Sequence, residues 1–350
     1  MTLQLERPEA PRPPAELPEP PAVESGPPGT LTLRVESCGR VAEDIVALTL
    51  RAPDGAELPP WEPGAHIDLL LPGAGPDGGE LVRQYSLCGD PDDRTQWRVA
   101  VLRSADGRGG SVHVHDRIRP GDTLRVRGPR NHFRVSAAPE YLFIAGGIGI
   151  TPVLAMVRAA ERAGQRWRAV YLARDRDRMA FVDELTACGP GQVRLHTDET
   201  DGRFDLGALL SGVAPGTAVY SCGPGPLLTA LEELHTACEG RWDLHLERFA
   251  AVPVPDEVTA DDREFEVVLA GDGSSHRVPA GTSVLSVLRT AGVRVDWSCE
   301  TGTCGSCETR VLEGEPEHRD SVLDADERAA GDYMMICVSR TRCERLVLDL

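Results

Sequence analysis

From residue 30 the chain alternates short apolar runs with clusters of Gly, Pro and Asp. Thr30–Val35, Ile45–Arg51, His66–Leu71, Trp97–Leu102 and Thr123–Arg127 are strand-sized and rich in Val, Leu and Thr. That rhythm predicts an antiparallel β-barrel over 30–137, with Gly110–Ile118 as its one helix candidate. The period changes over 138–250. Apolar strands Tyr141–Ala145, Arg168–Ala173, Gln192–His196, Ala218–Cys222 and Trp242–Glu247 alternate with helical stretches Val153–Ala163, Met179–Ala187, Asp205–Leu210 and Pro226–Ala237. Alternating strand and helix predicts an α/β unit, a doubly wound parallel sheet. A third, α+β unit occupies 264–350. It has strands Glu264–Leu269 and His276–Pro279, a helix Ser283–Ala291 capped by Thr282, and a last strand Leu346–Leu350.

Composition fills the gaps between these units. Residues 1–29 interleave nine prolines with Glu and Ala, which cannot bury a core, so a disordered tail is expected. Residues 251–263 read as a linker. Of 350 residues, 37 are basic and 55 acidic, giving a net charge of −18, and every basic residue is arginine. Such a balance argues against a nucleic-acid binder and against a surface made for anionic lipid. No apolar run approaches the roughly 20 residues of a membrane helix, so no membrane partner is expected.

The ten cysteines are unevenly placed. Cys299, Cys304 and Cys307 form C-x4-C-x2-C, and Cys337 follows after 29 intervening residues. Clustered thiols imply metal in a reducing, cytoplasmic setting. The spacing is that of a plant-type [2Fe–2S] cluster, with Gly302 and Gly305 freeing the loop to curl around it. A zinc site would pair C-x2-C with a second close pair, whereas here the fourth ligand stands alone. The segment resembles the plant-type ferredoxin domain, in which the first two loop cysteines hold one iron and the last two the other. Asp296–Asp332 carries eleven acids against three arginines, an expected docking face for a basic partner surface.

Two motifs in the barrel offer groups that can reach a phosphate and a flat ring, though either alone also fits a plain strand or a surface turn. Arg83-Gln-Tyr85-Ser86 sets an arginine, a stacking ring and a hydroxyl at strand spacing. Gly107-Arg-Gly-Gly110-Ser111 opens the candidate helix, where phosphate is favoured. In the α/β unit, Gly146-Gly147-Ile-Gly149-Ile-Thr151-Pro152 joins a strand to a helix, so its glycines admit a pyrophosphate. Asp175, in Arg174-Asp175-Arg176-Asp177, stands where a ribose is expected. It would accept the hydroxyls of NADH, with Arg174 or Arg176 as alternative holders of the extra phosphate of NADPH.

Together these motifs resemble the ferredoxin–NADP reductase superfamily, and within it the phthalate dioxygenase reductase branch that includes vanillate demethylase reductases. The resemblance implies FMN, with Arg83, Tyr85 and Ser86 at flavin and phosphate and with Gly110 and Ser111 at the phosphate. The residues themselves leave FAD open. It implies that Cys222-Gly223-Pro224 lies at the nicotinamide, that Cys222 helps position hydride transfer, that Phe249 covers the flavin and that Glu247 lies near it. The implied activity is an NADH-dependent reductase passing electrons through FMN and the cluster to a terminal oxygenase, a Rieske non-haem iron enzyme or a cytochrome P450. A flavin fits between the two because it takes two electrons together and releases them singly. The alternatives are an FAD enzyme using NADPH, or a redox-sensing or carrier ferredoxin fused to regulatory units.

Overall fold

The computed structural model describes residues 29–75, 78–105, 107–238, 240–251, 259 and 262–350. The expected tail, apart from Gly29, and most of the expected linker lie outside the described residues.

The first unit is built from β1 (Leu31–Ala42), β2 (Ile45–Arg51), β3 (His66–Leu71), β4 (Leu81–Ser86), β5 (Trp97–Leu102), helix α1 (Gly110–Arg117) and β6 (Thr123–Arg130). The antiparallel order is β4-β3-β6-β1-β2-β5, and a bridge between Leu87 and Val99 joins the two edges into a barrel. Leu33, Val35, Leu48, Leu50, Trp97 and Val126 fill it. Each such side chain contributes about 1.5–3 kcal/mol of burial. β1 runs past its expected end because register shifts at Val35/Ser37 and Arg40/Ala42 let an exposed, polar stretch stay paired.

The second unit has β7 (Tyr141–Gly146), α2 (Ile150–Arg162), β8 (Trp167–Ala173), α3 (Val182–Cys188), β9 (Val193–Thr197), the single turn α4 (Asp198–Asp201), α5 (Leu206–Ser211), β10 (Ala218–Cys222), α6 (Gly225–Ala237) and β11 (Asp243–Glu247). All pairs are parallel, in the order β11-β10-β7-β8-β9. The order reverses between β7 and β10, so the crevice for a ligand opens beyond their carboxyl ends. The helix expected from Met179 begins at Val182 instead, because Phe181 takes a left-handed conformation (φ 58°) just before it.

The third unit comprises β12 (Phe265–Leu269), β13 (Ser275–Val278), α7 (Val284–Thr290), β14 (Glu308–Glu313), β15 (Pro316–Glu317), α8 (Ala325–Ala330), β16 (Tyr333–Met335), β17 (Arg340–Thr341) and β18 (Arg345–Leu348). Its main sheet runs β13-β12-β18-β14-β16, with β12 and β18 parallel. The cap of α7 is Ser283, whose hydroxyl accepts from the Ser286 N–H at 3.1 Å, and not Thr282. The hydroxyl one residue nearer is the one that reaches the third N–H of the helix.

Candidate redox site

The cysteine loop is held from several sides. On α7, Arg289 lies over the Trp297 ring at 3.7 Å and donates to Glu300 at 3.1 Å. The buried Asp320 carboxylate accepts from the N–H groups of Val322 (3.0 Å) and Leu323 (2.9 Å) and from the Ser339 hydroxyl (3.3 Å). Gly302 packs against that segment: a Cβ there would stand 3.0 Å from Asp320 Cα, and the Ser321 N–H donates to its carbonyl at 2.8 Å. Cys299, Cys304, Cys307 and Cys337 are all buried. Among the described residues no set of three or more His, Cys, Asp or Glu is arranged to hold a metal ion. The thiols instead approach in pairs, Cys299 with Cys304 and Cys307 with Cys337, and Cys299 also meets Cys337. Two irons that each take two thiolates ask for such pairs, so the donor set fits a [2Fe–2S] cluster. Contacts with Cys304 and Cys337 hold the Cys299 thiol far below the usual range. The Thr301 and Thr303 N–H groups point at its sulfur from 3.3 and 3.5 Å. Amides aimed at a ligating sulfur favour its anion and raise the cluster's potential.

Above the loop lies a small cavity of about 170 Å³, lined on one side by Arg83, Ser86, Glu247, Arg248 and Phe249 and on the other by Thr301 and Thr303. Strand β4 points Arg83 and Ser86 to it. Arg83 reaches the start of α1, donating to the Arg108 carbonyl at 3.2 Å. Gly109, left-handed at φ 85°, caps α1 with no side-chain bond to its first N–H groups. Free amides beside a guanidinium suit a phosphate. Gly110 serves this arrangement by shape, since a Cβ would strike Arg83 Cγ at 2.6 Å. Ser111 is engaged within the loop: its hydroxyl accepts from the Ser104 N–H at 3.0 Å and donates to the Ser104 carbonyl at 3.3 Å. Burial pushes the Tyr85 phenol up to about 12, so the ring stays neutral.

A larger cleft of about 820 Å³ adjoins, lined by Gly146, Gly147, Gly223, Pro224, Arg174, Arg203, Arg248 and Phe249 among others. Its glycines divide by role. A Cβ on Gly149 would lie 2.0 Å from the Cys222 carbonyl oxygen, and one on Gly146 would lie 2.7 Å from Pro224 Cδ. These two let the β7–α2 turn nest against the β10–α6 turn. Gly147, left-handed at φ 53°, and Gly225 meet nothing within 4 Å and leave their backbone open to the cleft. Thr151 donates to the Ile148 carbonyl at 3.0 Å and Pro152 is buried in the first turn of α2. Asp175 turns from the cleft: its carboxylate accepts from the Arg178 N–H at 3.0 Å and pairs with Arg178 Nε at 3.1 Å.

Both cavities share Arg248 and Phe249, the latter 46% exposed. Behind them Glu247 receives a long hydrogen bond from the Ser86 hydroxyl (3.4 Å) and contacts the Cys222 thiol. Burial pushes the Glu247 carboxyl up to about 8, and the bonds from Ser86 and Cys222 only partly offset that. The Cys222 thiol is driven well above its usual value by burial and by Glu247. Three residues from β4, β10 and β11 thus meet where the cavities join. Sequence reasoning missed the buried Asp320, and it missed Gln84, whose amide donates to the Ser298 hydroxyl across the unit boundary. Gln84 was visible between Arg83 and Tyr85, but nothing in the pattern said what it faced.

A barrel with a flavin motif, a parallel sheet with a nucleotide crevice and a four-thiol loop define an iron–sulfur flavoprotein reductase of the ferredoxin–NADP reductase type. Residues 32–135 match the oxidoreductase FAD-binding domain, and residues 267–342 match the 2Fe-2S iron-sulfur cluster binding domain. The chain is 42% identical to vanillate O-demethylase oxidoreductase of a Pseudomonas species, over 89% of this chain and 96% of that protein. It matches the structure of phthalate dioxygenase reductase, described as modular for electron transfer from pyridine nucleotides to [2Fe-2S]. That match has a TM-score of 0.64 and 40% identity, and it covers 92% of this chain and 98% of that one. It also matches an intact type IV self-sufficient cytochrome P450 monooxygenase, with a TM-score of 0.84 and 43% identity over 92% of this chain, but spans only 41% of that longer protein. The chain belongs to the phthalate dioxygenase reductase and vanillate O-demethylase reductase family.

Proposed function

We propose that this protein is the reductase component of an oxygenase system, taking electrons from NADH through FMN and a [2Fe–2S] cluster to a terminal oxygenase. The observation that carries the reading is one continuous wall. Arg248 and Phe249 line both the nucleotide cleft and the smaller cavity, and the far side of that cavity is the cysteine loop. Bound there, FMN supplies the step from a two-electron donor to a one-electron acceptor, and the chemistry is the cofactor's. The protein's residues fix geometry. Arg83 and the free amides at the start of α1 hold the phosphate, Gly147 admits the pyrophosphate, and Ser86, Cys222 and Glu247 define where ring and nicotinamide meet. The protonated Glu247 keeps negative charge away from that meeting point at neutral pH.

The outer acids of 296–332 serve docking in this reading. Asp320 is buried, Glu317 bonds Arg319, and Asp324 and Glu327 form a capping box on α8. Glu300 bonds Arg289 and Glu313 pairs with Arg345 at 3.4 Å, so the face rests on Asp296, Glu308, Glu315, Asp326 and Asp332, with the exposed Leu312 and Tyr333. A basic, partly apolar surface on the oxygenase complements it.

Anaerobic titration with NADH tests the proposal. The flavin bands should bleach first and the broad cluster absorbance next. Cys337→Ser should abolish the cluster absorbance while the flavin bands still bleach. Protein that stays fully oxidised under excess NADH overturns the reductase reading.

A further inference from the structure

One contact between the barrel and the cysteine loop has no part in the roles assigned above. Gly305, left-handed at φ 70°, lies directly under the His132 ring: a Cβ on it would stand 2.2 Å from Nε2, 2.4 Å from Cε1 and 2.6 Å from Cδ2. All three distances are far inside van der Waals contact, so the imidazole lies against the glycine backbone itself. The backbone that carries the ring is fixed on both sides. Its neighbour Asn131 donates to the Pro63 carbonyl at 3.0 Å and accepts from the Phe133 N–H at 3.0 Å. Phe133 is buried in the core shared with the parallel sheet. His132 also stacks on the buried His66, ring centroids 6.2 Å apart.

We propose that His132 is the seat of the iron–sulfur loop: a positioning residue whose ring, fitted to Gly305, sets the gap across which electrons leave the flavin site. Two further contacts stop the loop from pivoting on that seat. The Gln84 amide bonds the Ser298 hydroxyl, and Arg108 Nη1 donates to the Cys299 carbonyl at 3.5 Å. Three separated points fix an orientation, and between them lies the small cavity with Arg83, Ser86 and Glu247 facing Thr301 and Thr303. Glycine at 305 then has two reasons, a left-handed turn and a ring that leaves no room for a side chain. The proposal rests on the flavin-to-cluster reading for its electron-transfer consequence, but not for the seat.

The test uses the full-length holoprotein mixed anaerobically with NADH in a stopped-flow instrument. His132→Ala should leave flavin bleaching at the wild-type rate and slow cluster bleaching several-fold, because electron tunnelling falls off exponentially as the gap widens. Gly305→Ala should slow the same phase. The double variant should be slowed less than the two single effects combined, because the methyl clashes only while the ring is there. Hydrogen exchange gives a readout free of electron transfer. Amides 303–306 and 131–133 should be protected in the unaltered holoprotein, and the first set should lose protection in His132→Ala. Unchanged cluster bleaching in His132→Ala, equal slowing of both phases, or single effects that add in full in the double variant overturn the seat. So does rapid exchange at 303–306 in the unaltered protein, a result that stands even where NADH fails to reduce the flavin.

Discussion

The barrel meets its two neighbours in different ways. Against the parallel sheet it shares a core: Ile45, Cys88, Ala100 and Phe133 belong to one buried cluster with Ile150, Val153, Met156, Phe181 and Tyr220. A polar clamp closes the rim. Glu184 accepts from Arg98 at 2.7 Å and from Arg158, and Arg158 also reaches the carbonyls of Cys88 (3.2 Å) and Gly89 (3.0 Å). Against the iron–sulfur unit the barrel offers a ring laid on a glycine, one amide-to-hydroxyl bond and one long guanidinium contact. The first seam is fused by apolar burial and the second is fitted by shape. Nucleotide and flavin must meet in a fixed near-contact geometry, which rewards a rigid joint. A cluster that must also serve an outside partner needs less than that.

Three variants bear on this contrast, beginning with the one of largest effect. Phe133→Ala empties a buried site in the shared core beside Tyr220, ring centroids 5.5 Å apart, and should cost about 3–5 kcal/mol in denaturant unfolding. Barrel and parallel sheet should still unfold in one transition; two separate transitions would break the picture of a fused seam.

Glu247 gives the fused seam a pH signature. An unfolded carboxyl titrates near 4.5, whereas the folded one is pushed up to about 8. Between those values the folded state holds more protons than the unfolded state, so stability falls as pH rises from about 4.5 to 8 and levels off on either side. Glu247→Gln should flatten the thermal-midpoint slope across that window, and a slope identical to wild type would remove Glu247 from it.

The smallest effect is expected at the fitted seam. Gln84→Ala deletes two hydrogen bonds, one to Ser298 across the seam and one to the buried Asp68 carboxylate inside the barrel (3.1 Å), and should shift global stability by about 1–3 kcal/mol. A loss as large as that of Phe133→Ala would mean that the second seam is fused as well.

The strand rhythm of the barrel and the alternation of the parallel sheet were legible because both depend on local periodicity. β14, α8 and β16 were not. Glu308-Thr-Arg-Val-Leu-Glu buries only Thr309 and Val311, too few to stand out, and α8 announces itself only through the Asp324/Glu327 capping box. The four thiols were legible as a set because their spacing is itself the signal. The glycines were legible as special but not for their reason. Gly146 and Gly149 are forced by the neighbouring turn, a constraint set by residues more than seventy positions away. Ser111 and Asp175 were read toward ligands, and both spend their hydrogen bonds inside the protein. Pattern shows which residue types are present; it does not show which way a polar side chain is already committed.

The parallel pairing of β12 with β18 also constrains how this molecule is assembled. All four thiols lie in the stretch of chain that separates those two strands. Bringing the strands together closes a long loop, whose entropy must be met before the pairing returns anything. A [2Fe–2S] cluster held by Cys299, Cys304, Cys307 and Cys337, as proposed, would pin the middle of that same loop and shorten what remains to be closed. Loading of the cluster and closure of the sheet are thus linked equilibria, each favouring the other. A shortage of iron would be felt first as unfolding of the last unit, before any change at the flavin or nucleotide sites.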